Sequence, residues 1–278
     1  QVIDIDALLA PVSEETPAGI DPRGDRKSDS LYYRVKDARN AARSEERGAV
    51  ETGGGTPEGW NTVVSAAAEL LSSAGKDLEV AAWLAEALVR TEGFAGLRDG
   101  IKVIAGIVEK YWDTCFPELD EDGIEGRVTA VAGLSGSGAV GTLIQPIRLL
   151  PLTQGELASY SLWNYEQASE IQKIADAARR QARIDAGAVS MEQFMQSVAE
   201  TPAATFATTV GLIEECLTAL GGMSAAFDAA AGNDAPPVTA LRELLQQANS
   251  SIRFFDADKL VLAAPDEPVA AGEQGPAG

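Results

Sequence analysis

The sequence predicts an all-α protein, and three observations carry that prediction. Ala and Leu dominate an apolar fraction of 45 %, while aromatic residues are only 6 %. Both are strong helix formers, whereas sheets draw on β-branched and aromatic residues. Apolar residues also recur at i, i+3, i+4 and i+7, the stripe of an amphipathic helix. Between the stripes lie Gly, Pro, Ser and Asp, the residues of caps and turns. The expected architecture is an N-terminal helical-bundle domain, then a second helical domain containing an antiparallel helical hairpin.

Residues 1–27 carry Pro11, Pro17, Gly19, Pro22 and Gly24 and read as an irregular arm with at most one helical turn. Ser28 or Asp29 can cap a helix through Leu31, Val35, Ala38 and Ala42, which frays into Gly53-Gly54-Gly55. A second helix carries Trp60, Val63, Val64, Ala67, Leu70 and Leu71 on one face. Lys76-Asp77 supplies a turn and an N-cap for a third, Leu78 to Val89. Its second apolar face, Val80, Trp83, Leu84 and Ala87, predicts burial on most sides. Gly93 and Gly96 mark a turn, and Ile101 to Trp112 form a fourth helix before Pro117. Beyond an acidic loop, Val128, Val131 and Leu134 stripe another helix. Residues 135–141 are Ser/Gly-rich, and a short apolar segment from Leu143 ends at Pro151.

The second half begins with an ambiguous aromatic stretch, Leu157 to Tyr165, where a short extended piece is allowed. Residues 166–186 read as one polar helix bearing Lys173, Arg179, Arg180 and Arg183. Ser190 caps a short helix with Met191, Phe194, Met195 and Val198. Phe206, Val210, Ile213, Leu217 and Leu220 are spaced 4, 3, 4, 3, and Leu241, Leu245, Ala248, Ile252 and Phe255 repeat that pattern beyond Pro236-Pro237. Two such seams across a turn are what an antiparallel hairpin needs. Leu212, Leu244 and Phe254 lie off the seam and require a cover from the 190–199 helix or a second copy. The expected division is an arm at 1–27, an N-terminal helical domain at 28–152, a middle helical domain at 156–257, and a disordered tail or linker at 258–278.

Net charge is −20, spread as about −10 in each of residues 1–150 and 151–278. Such a surface repels phosphate backbones and anionic lipids, so nucleic acid and membrane are not expected partners. The two cysteines, Cys115 and Cys216, give no disulfide framework and no Cys-x-x-Cys pair; they read as buried hydrophobes of a reducing, cytoplasmic compartment.

There is no histidine. The commonest general base and transition-metal ligand are therefore missing, along with Ser-His and Cys-His nucleophile pairs. Gly136-Ser137-Gly138-Ala139-Val140-Gly141 fits a dinucleotide-binding pattern, but a helical stripe rather than a strand precedes it. Glu118, Asp120, Asp122 and Gly123 mimic an EF-hand loop whose twelfth position, Thr129, lacks the bidentate carboxylate. The pairs Glu45-Glu46 and Glu214-Glu215 occupy neighbouring helix positions, about 100° apart, and do not converge on a substrate. Trp60, Trp83 and Trp112 fall on apolar stripes as core residues. No cofactor, metal or catalytic residue is expected. The candidate partner contacts are Trp163 and Tyr160 in the aromatic stretch, with Glu118, Asp120, Glu121 and Asp122 in the acidic loop.

Several segments resemble a known family. Pro11-Val12-Ser13 with Pro17-Ala18-Gly19-Ile20-Asp21 is similar to the opening of the ImpA-type N-terminal domain of the TssA family of type VI secretion. Lys76 to Leu88 resembles its central helix. The stretches Glu92 to Leu97, Tyr111 to Asp122 and Leu150-Pro151-Leu152-Thr153 follow in the family's order. The resemblance covers about residues 8–155, and residues 156–257 are similar to the family's middle helical region. It implies a non-enzymatic, cytoplasmic assembly protein that associates with the baseplate and the growing tail tube and sheath to promote polymerisation. It also implies self-association mainly through a C-terminal domain lying beyond this chain. The alternatives are a generic helical adaptor, or a carboxylate-dependent enzyme or ligand binder using segment 113–125.

Overall fold

Asp77 shows how local sequence starts the architecture. Its carboxylate accepts from the Val80 N–H and caps α4 (Leu78–Tyr111), satisfying one of the unpaired donors at a helix start. In the computed structural model, which describes residues 1–52, 57–119 and 123–263, every element is helical. Three isolated bridges are the only β-type pairings among those residues. The arm carries α1 (Ile5–Leu9) and one 3-10 turn (Pro22–Gly24). Then come α2 (Leu31–Thr52), α3 (Gly59–Ser73), α4, α5 (Glu125–Ser135) and α6 (Ile144–Leu149). The second half holds α7 (Leu162–Gln172), α8 (Ala177–Asp185), α9 (Met191–Glu200), α10 (Ala203–Ala231) and α11 (Thr239–Ala263).

α4 is a hairpin in its own right. At Gly93 the backbone leaves helical values, with φ 60° and ψ −140°, where the sequence places a turn. That conformation suits glycine alone. The two arms then fold back closely: a Cβ at Gly96 would stand 2.1 Å from the Leu88 carbonyl oxygen, and one at Gly100 2.7 Å from the Ala85 Cα. Leu84, Leu88, Leu97, Ile101 and Ile104 are buried between α3, α5 and α10.

The second hairpin, α10 and α11, turns through residues 232–238 as the matched spacings predict. Phe206, Ile213 and Leu220 face Leu241, Leu245, Ala248, Ile252 and Phe255 within one buried cluster, which also takes in the α4 residues. Val210 and Leu217 are only half-buried, because α10 turns part of its surface to α4. That α4–α10 contact is the most extensive between any two helices described. Cys216 Sγ lies 3.1 Å from the Phe94 carbonyl oxygen, and Trp112 packs edge-to-face on Phe227 at 6.1 Å. By length and composition α10 could cross a membrane; here its apolar stripe is used against α4 and α11.

Some elements differ from the sequence reading. The expected single polar helix over 166–186 is two, α7 and α8, because Asp176 accepts from the Arg179 N–H and restarts the helix. The ambiguous aromatic stretch is helical from Leu162, where Ser161 and Asn164 form a capping box. Its extended piece survives as the Pro151–Ser161 bridge, with Leu152 and Thr153 N–H donating to the Tyr160 carbonyl. The expected 152–156 connection is therefore a stitched corner: Leu152 and Thr153 are buried, and Thr153 Oγ1 lies 2.7 Å from Ser197 Oγ. Of the off-seam residues expected to need a cover, Leu244 is buried within the single chain, Leu212 is half-buried and Phe254 is 60 % exposed. α11 runs on to Ala263, past the expected start of the tail at 258; residues 264–278 and Gly53–Gly55 lie outside the described residues.

Candidate partner-contact surface

The ionisable groups that bury themselves in this fold act as staples. Arg23, from the arm, pairs with Asp77 and with Glu79 at 2.7 Å, and Tyr32 Oη donates to the same Glu79 carboxylate at 2.9 Å. Burial, with Glu79 adding to it, pushes the Tyr32 phenol up to about 12. Arg39 of α2 makes two hydrogen bonds to Glu86, at 2.6 and 2.9 Å. Burial alone would raise the Glu86 carboxyl, but those bonds outweigh it and hold the group below the usual range. Arg98 bridges Asp99 and, on α10, Glu215 at 2.6 Å. Arg127 donates to the carbonyls of Trp112, Cys115 and Pro117, fixing the turn after α4. Lys76 Nζ donates to the Leu8 and Leu71 carbonyls, and burial, with Lys110 assisting, lowers it to about 8.

Arg39, Glu79 and Glu86 line an open groove of about 350 Å³ with Trp83 and Thr142, where Arg39 holds the Glu86 carboxylate in its pair. Burial pushes the Cys115 thiol up to about 11 and that of Cys216 to about 12, so neither is a thiolate near neutrality. Among the described residues no cluster of three metal-ligating side chains occurs. The glycine-rich loop 136–141 follows helix α5 rather than a strand. Glu214 and Glu215, adjacent in sequence, reach different partners, Arg253 and Arg98. Trp60 and Trp83 are buried under Arg90 and Arg39 at 4.2 and 5.4 Å, whereas Trp112 is half-buried at the α4–α10 contact.

The sequence-derived contact residues fall in three places. Trp163, on α7, is half-buried with the Arg148 guanidinium stacked on its ring at 4.5 Å. It lines a groove of about 520 Å³ with Arg148, Ile171, Ile174 and Arg183. Tyr160, three residues earlier, stacks on Phe194 at 6.0 Å and lines a separate, smaller groove with Leu157 and Gln196. Glu118 is exposed near the start of α5 and shares no groove with either aromatic residue. Asp120, Glu121 and Asp122 lie outside the described residues. Sequence reasoning missed Arg148, which sits in the apolar segment 143–150; only its stacking on Trp163 and its pairing with Glu166 reveal it. A second groove, about 660 Å³, adjoins across that pair and is lined by Val140, Ile144 and Leu244.

Residues 9–136 match the family model described as ImpA, N-terminal, type VI secretion system. The chain is 29 % identical over 259 residues to the type VI secretion system component TssA1 of Pseudomonas aeruginosa, covering 92 % of this chain and 69 % of that protein. Its fold matches a solved N-terminal domain, including the conserved ImpA_N region, of the TssA component from Burkholderia cenocepacia. There the TM-score is 0.78 at 28 % identity, over 93 % of this chain and 96 % of the other.

Proposed function

From the premise that this chain belongs to the TssA family of type VI secretion components, we propose that it is a non-enzymatic assembly protein. In this reading it works in the cytoplasm, associates with the baseplate and with the growing tail tube and sheath, and promotes their polymerisation. Self-association, mainly through a C-terminal region, belongs to the same proposal. The carrying observation is that likeness to TssA proteins extends over 92 % of the chain, through both helical hairpins and not only the N-terminal segment. The physical character of the molecule agrees with it. Buried charges serve as staples, and the groove at Trp163 is an open surface feature whose lining mixes Trp163, Ile171 and Ile174 with Arg148, Arg183, Glu166 and Glu170. Such a combination of apolar anchor and polar rim is found at protein interfaces. The division at 28–152 and 156–257 is proposed as two lobes that meet along α4 and α10.

Affinity capture from the native cytoplasm tests this reading. Contractile-tail proteins in the eluate are the expected result. An eluate without them, from cells that assemble tails, would overturn it.

A further inference from the structure

We propose that the groove between α7 and α8 is a docking site for an acidic segment of a partner protein, anchored by an apolar side chain against Trp163. The proposal rests on the reading of the chain as an assembly component and names the chemistry of one of its partners.

The first support is where the positive charge lies. Residues 151–278 contain seven Lys and Arg against seventeen Asp and Glu, yet Lys173, Arg179, Arg180 and Arg183 fall within eleven consecutive positions. A strongly acidic chain has gathered its scarce bases at one place. The second support is α8 itself, which contributes no buried residue to the core. Ordering a helix costs conformational entropy that burial normally offsets. Here the Asp176 cap and the Arg180 bond to the Ile174 carbonyl hold the helix locally, and its surface is left to face a partner.

The third support is the state of the groove's charges. Glu166 is engaged by Arg148 and by Gln247, and Glu170 by Lys173 at 2.6 Å. Arg183, on the opposite wall, has no ion pair among the described residues, and neither does Arg179 on the same helix. Both carboxylates of the groove, and Arg148, are thus already paired, whereas Arg183 and the neighbouring Arg179 are not. The apolar floor is Trp163, Ile171 and Ile174. With Glu166 and Glu170 paired off, the unpaired Arg183 at the groove and Arg179 beside it on α8 leave a net positive edge over an apolar floor. That edge matches an acidic segment carrying one aliphatic or aromatic residue, with charge steering the approach and the apolar side chain excluding water.

The test uses a short synthetic peptide rich in Asp and Glu around a single Leu, and a control peptide with Asn and Gln in their place. Binding is followed by amide and indole N–H chemical shifts of the labelled protein. The acidic peptide is expected to move the Trp163 indole and the backbone of Ile171 and Arg183, and the control is not. The double variant Arg179→Glu, Arg183→Glu is expected to weaken binding about tenfold or more. It should leave the helical circular dichroism unchanged, since neither side chain is buried. Trp163→Ala is expected to weaken binding at unchanged salt dependence.

No shift with the acidic peptide, shifts clustered elsewhere, or equal binding by the double variant would each overturn the proposal. So would displacement of the peptide by inorganic phosphate or an oligonucleotide at comparable affinity. Affinity capture with the double variant separates the two readings. If wild-type protein captures tail components and the variant captures the same set, the groove assignment fails and the assembly reading stands. If wild-type protein captures none, the assembly reading itself fails.

Discussion

In the α4 hairpin the carboxylates of Asp77, Glu86 and Asp99 are buried against Arg23, Arg39 and Arg98. Along the α10–α11 hairpin the contact is aliphatic and aromatic, and its ion pair, Arg253 with Glu214, is 60 % and 53 % exposed. The two hairpins thus differ in where their charges go: those of α4 tie it to the N-terminal arm, α2 and α10, whereas the α10–α11 pair crosses its own seam at the surface. The arms of the first meet through Gly96 and Gly100 at near backbone contact, and its ion pairs fix the hairpin to its neighbours. The arm and α2 then lock it from outside. The second has full-sized side chains along its seam and leaves its charges to solvent. A buried pair is costly to break because the surviving charge stays in low dielectric, whereas an exposed pair contributes little either way.

The sharpest break in this comparison is Asp77→Ala. It strips the cap from α4 and removes the buried partner of Arg23, which keeps Glu79, so urea unfolding should show a loss of about 3 kcal/mol. In the other hairpin Phe227→Ala removes a fully buried ring that packs on Trp112 and is expected to cost about 3 kcal/mol. Because α4 and α10 share one cluster, both variants should unfold in a single transition. Two separated transitions would show that the lobes fold independently.

Acid is the next probe. The folded Glu86 carboxyl titrates below its ordinary value, so the stability it contributes is complete above about pH 4.5 and is lost as pH falls through the lower, folded value. Glu86→Gln should flatten that part of the stability profile; an unchanged slope below pH 4.5 would remove Arg39–Glu86 from the account. Arg253→Ala is expected to change stability by less than about 0.5 kcal/mol, and a larger loss would erase the contrast between the hairpins. Limited proteolysis gives the finest reading. Segment 135–141, with Val140 80 % exposed, should be cut before 152–156, where Leu152 and Thr153 are buried.

What the sequence made legible follows from the range of each interaction. Local signals read correctly: the caps at Asp77 and Ser190, the turn at Gly93, and the paired spacings of Phe206–Leu220 and Leu241–Phe255 each depend on residues a few positions apart. The staples did not show, because Arg98 meets Glu215 across 117 positions and Arg39 meets Glu86 across 47. No periodicity marks such a pair. Asp176 was hidden inside a polar stripe, where its capping of α8 looks like one more charged face. Of the contact candidates, Trp163 could be singled out because it lies in an aromatic stretch and, unlike Trp60, Trp83 and Trp112, on no apolar stripe. Its partner Arg148 could not, since the fold alone brings the α6 guanidinium over the α7 ring.

The proposed role in the assembly of a contractile secretion tail is open to a direct test. Imaging fluorescent sheaths in living cells of the native bacterium, with the gene deleted and then restored, tests it most directly. Sheath assembly should collapse on deletion and return with the wild-type gene. Sheaths that form at undiminished frequency and length without it would contradict the account.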